Sequence, residues 1–170
     1  IHGLNQWNGV AFASRHEMSD VATSFEGMPG FGKPIKGQEA VQGIGPNDLP
    51  LEARALGVTI GDLRLWNLYV PNGRGLDDPH FTYKLNWLEA LRLNTERWLE
   101  EDPNLPLALM GDWNIAPFPD DMGDPSFTEG KSTHVSAEER AMFASFSPSL
   151  QDVVRPLAPE GYTVWDYTQR

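Results

Sequence analysis

The spacing of apolar and polar positions changes along the chain, and the changes mark its elements. Asn8–Ser14 reads as a strand. Arg54 to Ile60 and Leu63 to Val70 read as two more. The Gly61-Asp62 pair between them suits a two-residue hairpin turn, which predicts antiparallel neighbours. The period then becomes helical, with Phe81, Leu85, Leu88, Leu91, Thr95 and Trp98 on one face. Asp78 can cap this helix, Pro79 suits its first position, and Asp102-Pro103-Asn104 stops it. Leu105 to Met110 is a nearly unbroken apolar run, predicted as a strand buried on both faces. A capping box, Ser136-Ala137-Glu138-Glu139, opens a second helix whose apolar face is Met142, Phe143 and Phe146. Leu150 to Val154 is predicted as a short strand, and Val164 to Arg170 as a strand cut off at the chain end. Strands interleaved with helices, with at least one hairpin, predict an α/β (α+β) fold: a mixed sheet with helices packed on it.

Composition refines this picture. The length of 170 residues suits one domain or most of a larger one, and 40% hydrophobic with 22% charged residues is globular. The absence of cysteine excludes disulfides, thiolate catalysis and Cys-ligated zinc, and fits a reducing cytoplasm. The net charge of −11 has the wrong sign for a simple binder of phosphate backbones. Either the chain is an ordinary acidic protein, or some acids hold a divalent cation that meets a phosphate; charge alone leaves both open. No apolar run approaches the roughly 20 residues of a membrane span. The start at Ile1 and the strand-like end read as breaks in a longer protein.

Two strand ends could carry chemistry. In Leu109-Met110-Gly111-Asp112-Trp113-Asn114 a carboxylate follows an apolar strand, at the place where layered α/β folds bind ligands. Asp112 could hold a metal or take a proton from water, and Asn114 could donate an amide N–H to a phosphate oxygen. The plain alternative is a turn in which both side chains bond their own backbone. In Tyr69-Val70-Pro71-Asn72-Gly73-Arg74-Gly75 a phenol, an amide and a guanidinium stand beside glycines that admit close backbone approach. The alternative there is a polar turn with an exposed Arg.

Together, Tyr69-Val70-Pro71-Asn72-Gly73-Arg74 and Gly111-Asp112-Trp113-Asn114 resemble the paired motifs of exodeoxyribonuclease III-type apurinic/apyrimidinic endonucleases, in the endonuclease/exonuclease/phosphatase superfamily. Gly9-Val10-Ala11, Arg54, Leu150–Arg155 and Trp165-Asp166-Tyr167 resemble further family segments in the same order. The resemblance implies two packed mixed β-sheets flanked by helices, a DNase I-like four-layer sandwich, present here over residues 1–170 as a partial domain. It implies Mg²⁺-dependent (or Mn²⁺-dependent) cleavage of the phosphodiester 5′ to an abasic site, with 3′–5′ exonuclease and 3′-phosphatase action. Tyr69, Asp112 and Asn114 would be catalytic, and Asp112 and Asn114 would also face the metal. Asn72, Arg74, Arg54 and Trp165 would contact substrate. The partner would be double-stranded DNA with abasic sites or blocked 3′ ends, met by a cytoplasmic monomer without membrane association.

The departures from the family pattern are specific. The family's early metal-binding Glu and its late Ser-Asp-His segment have no counterpart; Gln38-Glu39 falls in the wrong order to replace the former. His2, His16, His80 and His134 match no family catalytic position and are expected in surface or local hydrogen-bonding roles. Val164 stands where family members that wall an abasic pocket carry an aromatic residue. The 170 residues alone are therefore expected to show little activity and to expose strand edges. Two other functions stay open: a superfamily hydrolase of phospholipids or inositol phosphates, and a non-catalytic DNA- or protein-binding remnant of the fold.

Overall fold

The computed structural model of the chain describes residues 1–4, 8–38, 41–123 and 132–164. In chain order the elements are β1 (His2–Gly3), β2 (Gly9–Val10), β3 (Ser19–Ala22), β4 (Ala55–Ile60), β5 (Leu63–Tyr69), α1 (Pro79–Glu101), β6 (Leu107–Asp112), a 3₁₀ turn (Pro119–Asp121) and α2 (Ala137–Ala144). The chain divides into two compact units, one of Ile1–Pro71 and Asn86–Trp113, the other of Asn72–Leu85 and Asn114–Arg170.

The first unit holds both sheets. β1 and β2 form an antiparallel pair, and a mixed sheet follows the order β3-β4-β5-β6. β4 and β5 are the expected hairpin, in register from Ala55 opposite Leu68 to Ile60 opposite Leu63. β6 joins β5 in parallel, from Arg64 opposite Leu107 to Tyr69 opposite Asp112. Aromatic rings fix the Asn86–Glu101 part of α1 on this sheet. Trp66 of β5 stacks on Trp98 at 5.2 Å, and Phe25 meets Trp66 and Trp87 edge-on at 6.0 and 5.0 Å. Trp87, Leu88 and Leu91 are fully buried. Asp78 caps α1 by accepting from the His80 N–H at 2.8 Å, and the helix ends before Asp102.

Three expected strands need correction. β6 is not buried on both faces: its residues run from half-buried to exposed, and Met110 is 41% exposed. The reason is its place at the edge of the sheet order, with β5 as its neighbour. The strand expected over Asn8–Ser14 shrinks to Gly9–Val10. Leu150 to Val154 forms no strand, because Asp152 Oδ1 accepts from the N–H groups of Val154 and Arg155 at 2.9 and 3.0 Å. That local turn competes with any ladder. Val164, the only described residue of the expected terminal strand, bridges Met122.

The second unit is organised around a buried ion pair. Lys84 and Glu139 hydrogen-bond each other, and neither side chain reaches solvent. Lys84 Nζ also donates to the Asn114 carbonyl at 2.5 Å and the Asn72 carbonyl at 3.4 Å, which uses its three protons. Glu139 also accepts from Thr133 Oγ1 at 3.0 Å, from His134 N at 2.8 Å and, through its other oxygen, from Ser136 N at 3.0 Å. The Ser136 hydroxyl accepts from Glu139 N in return, so the expected capping box opens α2 as predicted.

An unpaired buried charge costs far more than the pair contributes relative to apolar residues. We therefore expect Glu139→Gln to lower unfolding stability by about 3–5 kcal/mol. Lys84→Met with Glu139→Leu deprives the Asn72 and Asn114 carbonyls and the His134 and Ser136 N–H groups of these partners, and should recover little of that loss. Urea unfolding of the protein at its native length checks both; a Glu139→Gln cost below about 1 kcal/mol would contradict the account. Burial pushes the Glu139 carboxyl up, but Lys84 and the His134 and Ser136 N–H groups pull harder, and the net shift is downward from 4.5. Its stabilising contribution is thus complete above the ordinary glutamate value and disappears as pH falls through the lowered folded value. Acid titration of stability should show this loss in the parent and not in the doubly apolar variant.

Candidate active site

Both sequence-marked loops begin at the C-terminal ends of parallel strands. In the first unit, Tyr69 and Asp112 are register partners at the ends of β5 and β6, and Val70 N extends the ladder to the Asp112 carbonyl at 2.9 Å. Tyr69 is half-buried and Asp112 exposed. Gly111 has φ +119°, and an added Cβ there would run into the Leu68 carbonyl. Only glycine lets β6 approach β5 in this way just before the carboxylate.

Arg54 lies behind Tyr69. It is 6% exposed, donates to Glu52 Oε2 at 2.7 Å and to the Tyr69 carbonyl at 3.2 Å, and its guanidinium is 5.0 Å from the Tyr69 ring centre. Arg54 is thus a buried cation held by Glu52 and set against the ring. Such an arrangement orients the phenol.

In the second unit the two motif loops meet through their amides. Asn72 Nδ2 is 3.4 Å from Asn114 Oδ1 and 3.3 Å from His134 Nε2, and Asn72 Oδ1 accepts from Arg74 N at 3.0 Å. His134 Nδ1 lies 2.6 Å from the Asn114 carbonyl. Arg74, Asn114 and His134 have φ of +62°, +49° and +77°. Left-handed backbone at three neighbouring polar residues is the kind of strain that functional sites hold. His80, 3% exposed, accepts from Gly73 N at 3.1 Å and steadies the first loop.

Thus Tyr69 is brought beside Asp112, and Asn72, which accepts from the Arg74 N–H, beside Asn114. Trp165 lies outside the described residues, as does Glu39. The sequence reading missed His134, Lys84 and Glu139 as parts of the site's support. The capping box was the available signal for Glu139; nothing in the spacing marked Lys84, which sits in an otherwise apolar helical stripe.

Among the described residues, no group of three or more His, Asp or Glu gathers to hold a metal ion. Asp112 and Asn114 are hard oxygen donors, and Mg²⁺ is often held by one or two carboxylates with the remaining positions left to water and phosphate. The exposed Asp112 carboxylate fits such an ion as one ligand, whereas the Asn114 side-chain oxygen is already turned to Asn72. No helix among the described residues is long and apolar enough to cross a membrane.

Known proteins with similar sequence or structure point in one direction. The chain is 26% identical over 133 residues to an exodeoxyribonuclease of Bacillus subtilis, covering 76% of this chain and 51% of that protein. Its structure matches the 3′ phosphatase NExo from Neisseria bound to a product DNA hairpin, with a TM-score of 0.66, 34% identity and 92% of this chain against 53% of that one. The 3′–5′ exonuclease NExo from Neisseria meningitidis matches with a TM-score of 0.69, 31% identity and 92% against 54%. An AP endonuclease from Archaeoglobus fulgidus matches with a TM-score of 0.60, 25% identity and 91% against 52%. No family model matches the chain. The chain spans about half the length of the relatives it matches. The chain thus has the DNase I-like fold of these proteins and is similar to them in sequence.

Proposed function

We propose that the protein carrying this chain is a DNA-repair nuclease that hydrolyses the phosphodiester 5′ to an abasic site and acts on 3′ ends as exonuclease and phosphatase. The observation that supports it is the pairwise meeting of the two motifs: Tyr69 with Asp112 in one unit, and Asn72 with Asn114 in the other. Hydrolysis at phosphorus needs a placed water, donors on the non-bridging oxygens and a cation. In this reading the exposed Asp112 carboxylate aligns the attacking water and accepts its proton. Asn114 donates an N–H to a non-bridging oxygen. Tyr69, held from behind by Arg54, donates its phenol O–H to the phosphate or stabilises charge as it develops.

Asn72 and Arg74 contact DNA beside the lesion, and Trp165 is assigned to the pocket for the abasic sugar. An abasic sugar has no base to unstack, so moving it out of the helix costs less than for an intact nucleotide. Mg²⁺ or Mn²⁺, held in part by Asp112 while Asn114 keeps its amide for the phosphate, would supply Lewis-acid polarisation of the phosphoryl oxygens when bound. The protein is read as a cytoplasmic monomer.

Asp112→Asn in the protein at its native length should lower kcat on a duplex with one abasic site by about 10³-fold or more, with binding little changed. Unchanged cleavage would remove Asp112 from the mechanism. Tyr69→Phe should cost roughly 10- to 100-fold in kcat. EDTA should abolish cleavage and added Mg²⁺ restore it. A parallel panel of phospholipids and inositol phosphates separates the DNA reading from that of a small-phosphate hydrolase: turnover there, without turnover of abasic DNA, would overturn the proposal.

A further inference from the structure

We propose that His134 is a positioning residue that sets the direction of an amide hydrogen-bond chain, so that Asn114 turns its NH₂, not its carbonyl oxygen, to a phosphate. This rests on the preceding reading only in naming phosphate as what Asn114 meets; the chain itself follows from donor and acceptor chemistry.

The deduction starts at His134 Nδ1, 2.6 Å from the Asn114 carbonyl. A carbonyl oxygen only accepts, so Nδ1 must carry the proton. In the neutral ring Nε2 is then an acceptor. Its neighbour at 3.3 Å is the Asn72 side chain, which must therefore present Nδ2 and not Oδ1. A second anchor agrees: the Arg74 N–H donates to Asn72 at 3.0 Å and requires Oδ1 on that side. Asn72 Nδ2 also lies 3.4 Å from the Asn114 side chain, which must then turn Oδ1 inward. Asn114 Nδ2 then lies on the other edge of its amide, the orientation in which that group can serve an anionic oxygen. The opposite tautomer would set lone pair against lone pair at Nδ1 and donor against donor at Nε2. Lys84 donates to the Asn114 main-chain carbonyl and so does not set which way the side-chain amide faces.

The choice of a histidine is itself informative. Its backbone is left-handed at φ +77°, a conformation that His and Asn adopt more readily than most residues. Asn at this position could copy the Nδ1 donor and keep the backbone, yet would lack the distal acceptor. Gln could supply an acceptor near Nε2 and would lack the proximal donor. The two variants therefore divide the ring's two functions.

The test uses the protein at its native length. Imidazole ¹⁵N NMR in alkaline buffer should show His134 protonated at Nδ1 and bare at Nε2; an Nε2–H tautomer overturns the proposal whatever the activity. On abasic duplex, His134→Asn should lower kcat about 10-fold with KM within about 2-fold, while its melting temperature stays within a few degrees of the parent. His134→Gln should recover most of the lost kcat. If His134 only propped the backbone, His134→Asn would be the better variant, and that order sinks the inference. Should His134→Gln fail to fold, the kcat and KM of His134→Asn together with the tautomer decide. A parent that hydrolyses no phosphodiester would refute the preceding functional reading, while the tautomer would still decide the hydrogen-bond chain.

Discussion

The second unit depends on one buried charge pair. Lys84 and Glu139 are removed from water, which is costly unless every proton and lone pair near the charges is used. Here the three Lys84 protons go to Glu139, Asn114 and Asn72, and the carboxylate gathers three further donors. The pair thus ties together α1, the two motif loops and the start of α2. Hydrophobic residues of equal volume would fill the same space but leave those main-chain donors and acceptors without these partners. They could not grip two main-chain carbonyls and thereby fix where the Asn72 and Asn114 side chains start.

The first unit solves a different problem. Its chemistry stands at the ends of two parallel strands, where the ladder itself sets position. Register fixes Tyr69 against Asp112, and the close approach at Gly111 allows the strands to come together there. Arg54, buried and neutralised by Glu52, then holds the phenol ring. A rigid strand end suits a carboxylate that must present a water at a defined angle. Amides at left-handed loop positions suit a partner met through hydrogen bonds whose direction matters.

What the sequence discloses follows from the range of each interaction. The β4–β5 hairpin, the α1 cap and the α2 capping box are local, and their residues announced them. Tyr69, Asp112, Asn72 and Asn114 were recognisable because their motifs are contiguous. Burial of β6 was misjudged because an apolar run does not say whether a strand is central or at an edge. Leu150 to Val154 was misjudged because Asp152 spends its carboxylate on a turn. Lys84, Glu139 and His134 could not be read as a set: their partners lie 55, 30 and 20 residues away along the chain, and no periodicity encodes such contacts.

Net charge bears on the reading in one further way. At −11 the chain repels a phosphate backbone at long range, yet ions screen that field over about 8–10 Å. What decides affinity at contact is therefore the local set of groups. Asn72, Asn114 and His134 meet one another through hydrogen bonds, Lys84 is already neutralised by Glu139, and Arg74 follows in the Asn72 loop as a cation. Such a surface gains from correctly directed N–H groups as well as from electrostatic attraction. In the proposed reading, an acidic chain then engages phosphate through oriented amides, with Arg74 and a divalent cation bringing the positive charge, and the direction of each amide matters to the contact.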